Sequence, residues 1–313
     1  MKHYDMATLG EILIDFTPDG MSGEGYPRYI QNPGGAVVNA AAAFAKYGAK
    51  AAFLGKVGND LFGRALREFL TSLGVDCRGL REDDDYNTTL AFVSLGANGE
   101  RDFAFYRKHE ADLRIAPEEL DRELLRDTKL FHFGSLSLCG EPARSATFEA
   151  IREAKAAGAL ISYDPNYRES LWAGQDYVRW MKSVLDRVDL IKVSEEEGEM
   201  MTGFTDPAEI ASALLSAGPR FAAVTMGGEG SYFAARTASG YAAPYPVMPV
   251  DTTGAGDVFF ATFLHEFVTR SIAFEDGEAI RRAVCRANKA AALCTTKKGG
   301  APSVPDYELT EPD

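Results

Sequence analysis

Short apolar runs alternate along this chain with stretches of helical spacing, and glycine-rich turns separate the two. Met6 to Phe16 reads as a strand through Leu9, Ile12, Ile14 and Phe16, and Ala36 to Tyr47 as an Ala-rich helix stopped by Gly48. Ala51 to Val57 is a short apolar strand. Asn59 or Asp60 then caps a helix carrying Leu61, Leu66, Phe69, Leu70 and Leu73, which Gly74 ends. Further strands are predicted at Leu130–Phe133, Leu160–Tyr163, Leu190–Val193 and Ala222–Thr225, and helices at 142–157, 176–186, 207–217, 255–269 and 278–295. Strands alternating with helices imply βαβ units, a parallel sheet and right-handed crossovers, hence an α/β fold.

Two segments break this rhythm. Residues 10–35 and 86–110 are richer in strand than in helix, and Thr88 to Leu95 with Arg101 to Tyr106 forms a hairpin pattern around Ala97-Asn98-Gly99. They predict a small sheet projecting from the α/β body, placed to act as a lid. No repeat or low-complexity linker divides the chain, so residues 1–313 are read as a single domain carrying these inserts.

Composition narrows the partners. The 313 residues carry 33 Lys and Arg against 46 Asp and Glu, a net charge of -13, so no basic footprint for nucleic acid is present. No apolar run is long enough to span a membrane, and the start of the chain leads straight into a strand without the regions of a signal peptide. Cys77, Cys139, Cys285 and Cys294 are scattered and predict free thiols in a reducing cytoplasm. The scattered histidines suggest no zinc-type site.

Two segments carry candidate chemistry. In Asp251-Thr252-Thr253-Gly254-Ala255-Gly256-Asp257, small residues and two glycines stand directly before an apolar helix. Backbone N–H groups at such a helix start can approach an anion without Cβ obstruction, and a phosphoryl group in transfer is one such anion. Asp257 falls in the first helical turn, where the helix dipole is expected to keep it ionised with a low pKa, able to accept a hydroxyl proton late in the reaction. In Asn32-Pro33-Gly34-Gly35-Ala36-Val37-Val38-Asn39, two glycines open a helix, and Asn39 offers both donor and acceptor to sugar hydroxyls. The G-x-G-x-x-G of a dinucleotide-binding oxidoreductase is missing after the first strand, and no G-x-x-x-x-G-K-[ST] is present.

These two segments resemble the two signatures of the ribokinase-like (pfkB) family of ATP-dependent sugar kinases, and further similarities run over essentially the whole chain. The resemblance implies a three-layer ribokinase-like fold, with a central mostly parallel sheet, helices on both faces and a small β-sheet lid. It implies Asp257 as catalytic base and the amides of Gly254, Ala255 and Gly256 as an anion hole. Asp15, at the end of the first strand, would line the sugar with Gly34, Gly35, Asn39, Tyr106, Arg107 and Asn166. Ser194 and Glu197 match the family's Asn-x-x-Glu for magnesium and phosphates, with serine in place of the usual asparagine. Magnesium would meet Glu197 directly or through water. Thr225, Gly227, Gly228 and Gly230 would pass close to ATP, Asn288 would face adenine, and Asp251 would join the carbonyls near Thr253 and Gly300 in a monovalent-cation (K+) site.

Gly10–Phe16, Phe103–Arg107 and Asp164-Pro165-Asn166-Tyr167-Arg168 are most similar to the fructokinase subgroup, which implies phosphorylation of D-fructose at its 6-position. Arg107 and Arg168 also suit an acidic sugar such as 2-dehydro-3-deoxygluconate; Arg168 serves sugar or ATP. Ribokinase, and an inactive sugar- or nucleotide-binding sensor, are the other readings. A homodimer sharing the apolar lid face is expected.

Overall fold

A computed structural model describes residues 2–95, 101–107, 109–172 and 174–312. The turn expected at Ala97-Asn98-Gly99 lies outside the described residues. In chain order the first half forms β1 (Tyr4–Leu9), β2 (Leu13–Met21), β3 (Pro27–Gly34), α1 (Ala36–Lys46), β4 (Ala51–Gly58), α2 (Leu61–Ser72), β5 (Asp76–Asp83), β6 (Leu90–Leu95) and β7 (Arg101–Tyr106). The second half forms α3 (Arg122–Arg126), β8 (Thr128–Gly134), α4 (Ala143–Ala156), β9 (Leu160–Asp164), α5 (Glu169–Trp172), α6 (Tyr177–Lys182), β10 (Leu190–Ser194) and α7 (Glu195–Thr202). It continues with α8 (Pro207–Ser216), β11 (Phe221–Thr225), β12 (Ser231–Ala235), β13 (Ser239–Ala242), α9 (Ala255–Thr269) and α10 (Gly277–Cys294).

The main sheet has the order β13-β12-β11-β10-β9-β8-β1-β4-β5. It is parallel from β11 to β5 and ends in antiparallel β12 and β13. Its strands are buried on both faces, which explains why they read as continuous apolar runs rather than as alternating patterns. Successive side chains go to opposite cores. Met6, Phe53 and Leu130 pack with α1, α9 and α10, while Ala7, Leu54 and Phe131 pack with α3, α4 and α8. The result is the expected three layers.

A second sheet, ordered β3-β2-β6-β7, stands apart from the first. This corrects the single strand read over Met6–Phe16. β1 ends at Leu9, and the chain leaves the main sheet through Gly10, where a Cβ would come within 2.9 Å of Val37 Cγ2. It enters the small sheet at Leu13, which pairs with Gly34. Ile12, Leu13 and Ile14 are all buried, so the change of sheet leaves no gap in the hydrophobic pattern. Asp15 therefore belongs to β2, opposite Asn32 and Ala91, and not to the end of the first strand.

Asp60 is the cap of α2, accepting from Gly63 N at 2.8 Å. The helix expected to 186 stops at Lys182, followed by a short turn of 3-10 helix at Leu185–Arg187. Six elements were not anticipated: β5, β12, β13 and the short helices α3, α5 and α7. Among the described residues no helix is long and apolar enough to cross a membrane.

α9 is the central helix of one layer, buried at every position from Val258 to Val268. Phe263 is fully buried and stacks on Phe221 of β11, with ring centroids 4.1 Å apart and planes at 13°. Phe263→Ala removes that stack and leaves a cavity, with an expected loss of about 3–5 kcal/mol. A lower denaturant midpoint at unchanged slope is the readout, and a midpoint at the wild-type value would contradict this packing.

Candidate active site

The segment after β1 and the loop after β9 meet the N-terminus of α9 around one cavity. Gly254 caps α9 in the left-handed conformation at φ 77°, and a Cβ there would lie 2.9 Å from Gly300 Cα. Only glycine permits both the turn and the close approach. Asp257 follows in the first helical turn, partly buried and facing a cavity. Its Oδ2 accepts from Asn39 Nδ2 at 2.7 Å and its Oδ1 from Asn166 Nδ2 at 3.2 Å. Asn166 reaches it from a left-handed backbone at φ 43°, which asparagine tolerates better than most residues. Of the three expected anion-hole amides, Ala255 N–H donates to the Thr252 carbonyl at 3.2 Å. It joins such a hole only by releasing that carbonyl.

The low pKa expected for Asp257 from the helix dipole is overturned. Burial pushes its carboxyl above the usual range, against the pull of the Lys192 ammonium, the Asn39 hydrogen bond and the Arg168 guanidinium. Burial likewise raises Asp164, which Lys192 opposes. Asp257 is thus a stronger base than an exposed aspartate would be.

The cavity brings together Asp15, Gly35, Asn39, Asn166, Arg168, Gly254 and Asp257. Gly34 lies beside it, where a Cβ would collide with the Asp15 carboxylate. Two predicted residues are not there. Arg107 is withdrawn into a buried ion pair with Asp112, 2.6 Å from Nη2 to Oδ2, because a buried acid needs a counter-charge. Tyr106 is 69% exposed and packs edge-on against Phe92; strand alternation turns its neighbour Phe105 to the cavity instead.

On the other side of α9, Ser194 and Glu197 form a capping box. Ser194 Oγ accepts from Glu197 N at 3.2 Å, and Glu197 Oε2 accepts from Ser194 N at 2.8 Å. Glu197 Oε1 accepts from Tyr167 N at 2.7 Å, which ties the loop after β9 to α7. Thr225 pairs with Ser194 across β10 and β11, and Gly227, Gly228 and Gly230 follow it at the same edge. Asn288, expected to face adenine, has its amide engaged within the fold. Its Nδ2 donates to the Ala242 and Ala243 carbonyls, both at 3.0 Å, and its Oδ1 accepts from Ser231 Oγ at 3.0 Å, so the amide serves to hold α10 on the antiparallel edge. Asp251 is buried and accepts from Thr253 N at 2.8 Å and Gly299 N at 3.0 Å, joining the turn before α9 to the C-terminal tail.

Two residues escaped the sequence reading. Glu11 is 4% exposed, lines the cavity, and accepts from Ala36 N at 2.8 Å through Oε1, while its Oε2 has no partner. Lys192 is buried against Asp164. Each is a charge inside an apolar strand-like run, and that mismatch was the available signal.

Burial pushes the Glu11 carboxyl up to about 7 from the ordinary 4.5. A raised value means that the folded protein holds this proton more tightly than the unfolded chain. The contribution to stability is therefore fully present below 4.5 and is lost as pH rises through about 7. Glu11→Gln keeps an acceptor for Ala36. It is expected to change stability little at pH ~5 and to raise it by roughly 2–3 kcal/mol at pH ~8. Urea titrations at the two pH values measure this, and an equal effect at both contradicts it.

The geometry agrees with what this chain resembles. The profile of the pfkB family carbohydrate kinases matches residues 5–307. A probable fructokinase-3 of Arabidopsis thaliana is 42% identical over 304 residues, covering 96% of this chain and 88% of that one. Among solved structures, fructokinase from Xylella fastidiosa with bound ATP superposes with a TM-score of 0.90 at 29% identity, covering 98% of this chain and 97% of that one. Fructokinase from Vibrio cholerae O395 with fructose, ADP and calcium ion does so with a TM-score of 0.89 at 33% identity and the same coverage. A family match over nearly the full chain, around a carboxylate at a glycine-opened helix start, places this protein in the pfkB family of carbohydrate kinases, phosphotransferases that act on an alcohol group.

Proposed function

We propose that the chain transfers the γ-phosphoryl group of ATP to D-fructose, giving fructose 6-phosphate and ADP. The observation that carries this reading is Asp257, held by Asn39 and Asn166 at the start of α9 and facing a cavity that Asp15 also lines. A sugar hydroxyl attacks phosphorus; the new O–P bond forms as the bond to the ADP oxygen breaks, and Asp257 takes the hydroxyl proton. Gly254 and Gly256 offer backbone N–H groups to the transferred group, and Asp15 and Asn39 orient the sugar. Ser194, Thr225, Gly227, Gly228 and Gly230 form the edge along which ATP lies.

Glu197 fits a magnesium ion through water, since both its oxygens already accept backbone N–H groups. Such an ion, bound with ATP, neutralises charge on the phosphate oxygens. Asp251 with the Thr253 and Gly300 carbonyls would take a monovalent cation at the same turn.

The charge of the cavity favours a neutral ketohexose. Glu11, Asp15 and Asp257 line it, Arg168 alone among its described lining residues opposes them, and Arg107 is neutralised by Asp112. A sugar carboxylate would meet like charge there. The small sheet acts as lid, with Phe105 laid over the cavity, and its closure excludes water and so suppresses ATP hydrolysis. Tyr29 and Ile30 on β3 are 46% and 43% exposed and suit burial by a second copy in a homodimer. The free thiols suit a reducing cytoplasm.

Asp257→Asn is expected to lower kcat by roughly 10²–10⁴-fold while ATP affinity stays within a few-fold; wild-type turnover would remove Asp257 as the base. Asp15→Ala is expected to raise the sugar KM by at least about tenfold, with the ATP KM little changed, since a lost charged hydrogen bond is worth about 1.5–3 kcal/mol. Equal KM values would move Asp15 out of the sugar site. An ADP-release assay with fructose, 2-dehydro-3-deoxygluconate and ribose decides the substrate: fructose should turn over fastest, and preference for the acid would reject the charge argument.

A further inference from the structure

β10 carries its lysine in an otherwise apolar run, Leu190-Ile191-Lys192-Val193, and the fold buries it to 5% exposure. Lys192 Nζ stands 3.1 and 3.0 Å from the two oxygens of Asp164, itself 3% exposed. The same Nζ lies 2.9 Å from the point that a Cβ on Gly256 would occupy. Gly256 thus leaves room for an ammonium against the first turn of α9, one residue before Asp257. Asp164 Oδ1 accepts from Asn166 N at 3.2 Å, and Asn166 Nδ2 donates to Asp257 at 3.2 Å. Lys192, Asp164, Asn166 and Asp257 are linked in series, and Lys192 does not line the cavity.

The charged and titratable groups around Asp257 are Lys192 on β10, Asp164 at the end of β9, Arg168 in the loop after it, Glu197 on α7, Cys294 at the end of α10, and Glu11 and Asp15 on the cavity wall. Asp164 and Asp257 gather where water is scarce, and a carboxylate so placed takes up a proton unless a cation opposes it. A base must be unprotonated before it acts. We propose that Lys192 is a positioning residue for phosphoryl transfer, whose ammonium keeps Asp257 ionised and, through Asp164, holds Asn166 against it. The inference rests on Asp257 being the base.

The test is the pH dependence of kcat/KM for the sugar in the full chain. In the wild type, activity falls as pH drops through the apparent value of the cluster, which belongs to the coupled groups together. Lys192→Met removes the cation, and the acid limb should move up by ~1 pH unit, with activity recovering at higher pH. Asp164→Asn removes a like charge but keeps acceptors for Lys192 and Asn166, and the limb should move down. A merely structural pair would lower activity by one factor at every pH and leave the limb in place, and that result overturns the proposal. Should Lys192→Met fail to fold, Asp164→Asn decides alone: a limb unmoved or moved upward rejects it. Asp257→Asn separates the two levels. Near-wild-type activity in that variant refutes the base itself, whereas its loss, with unmoved limbs in the other two, refutes only the role of Lys192.

Discussion

A carboxylate held away from water keeps its charge only if donors and a cation surround it, and the C-terminal edge of the main sheet is arranged around that requirement. Asp257 meets it with contacts drawn from far along the chain. Its two amide donors lie 218 and 91 residues away in sequence. Neither can be supplied by the helix on which Asp257 stands. The fold brings them together: β9 delivers the loop that carries Asn166, and Asn39 stands on α1, which enters from β3 and packs in the same layer as α9. The geometry around Asp257 is a property of the assembled fold, with the α9 segment contributing the carboxylate and the backbone turn.

Close backbone approach does the rest. Gly254 packs on Gly300, and a Cβ on Gly300 would lie 2.7 Å from the Asn39 amide, so three distant segments share one small volume. Asp251 holds the first two together through backbone N–H groups. An added methyl group at either glycine would push Asn39 or the tail away from the site, so these glycines act through packing as well as through the freedom of the turn.

The small sheet sets the character of the pocket. Its strands place Asp15 on the cavity wall, next to Gly34, and Phe105 across from it. Arg107 follows directly after β7 and pairs with Asp112. That pairing changes the chemistry presented to a ligand: an arginine that looked available for a sugar carboxylate is already neutralised, and Arg168 is left facing Glu11, Asp15 and Asp257 on the wall. Tyr106 and Phe105 exchanged roles for the simplest reason, a period of two along a strand whose register the sequence did not reveal.

What the amino-acid sequence determined by itself is local. The helix starting at the Gly254-Ala255-Gly256 turn, the Ala-rich α1, the strand–helix alternation and the strand-rich inserts all follow from short-range patterns, and so did the choice of Asp257 and Asn39, whereas Asp15 came from the family resemblance. Tertiary structure alone decided which charges face one another. The break between β1 and β2 was invisible because both sides are buried in one apolar run. Glu11 and Lys192 stood in the sequence as isolated charges with no partner in view. Asn288 looked like a binding group because its partners lie 45 to 57 residues away, and Arg107 because its pairing with Asp112, five residues on, forms only in the fold. Hydrogen bonds and ion pairs in a low-dielectric interior depend on distances of a few ångströms between residues far apart in sequence, and only the assembled sheet sets those distances.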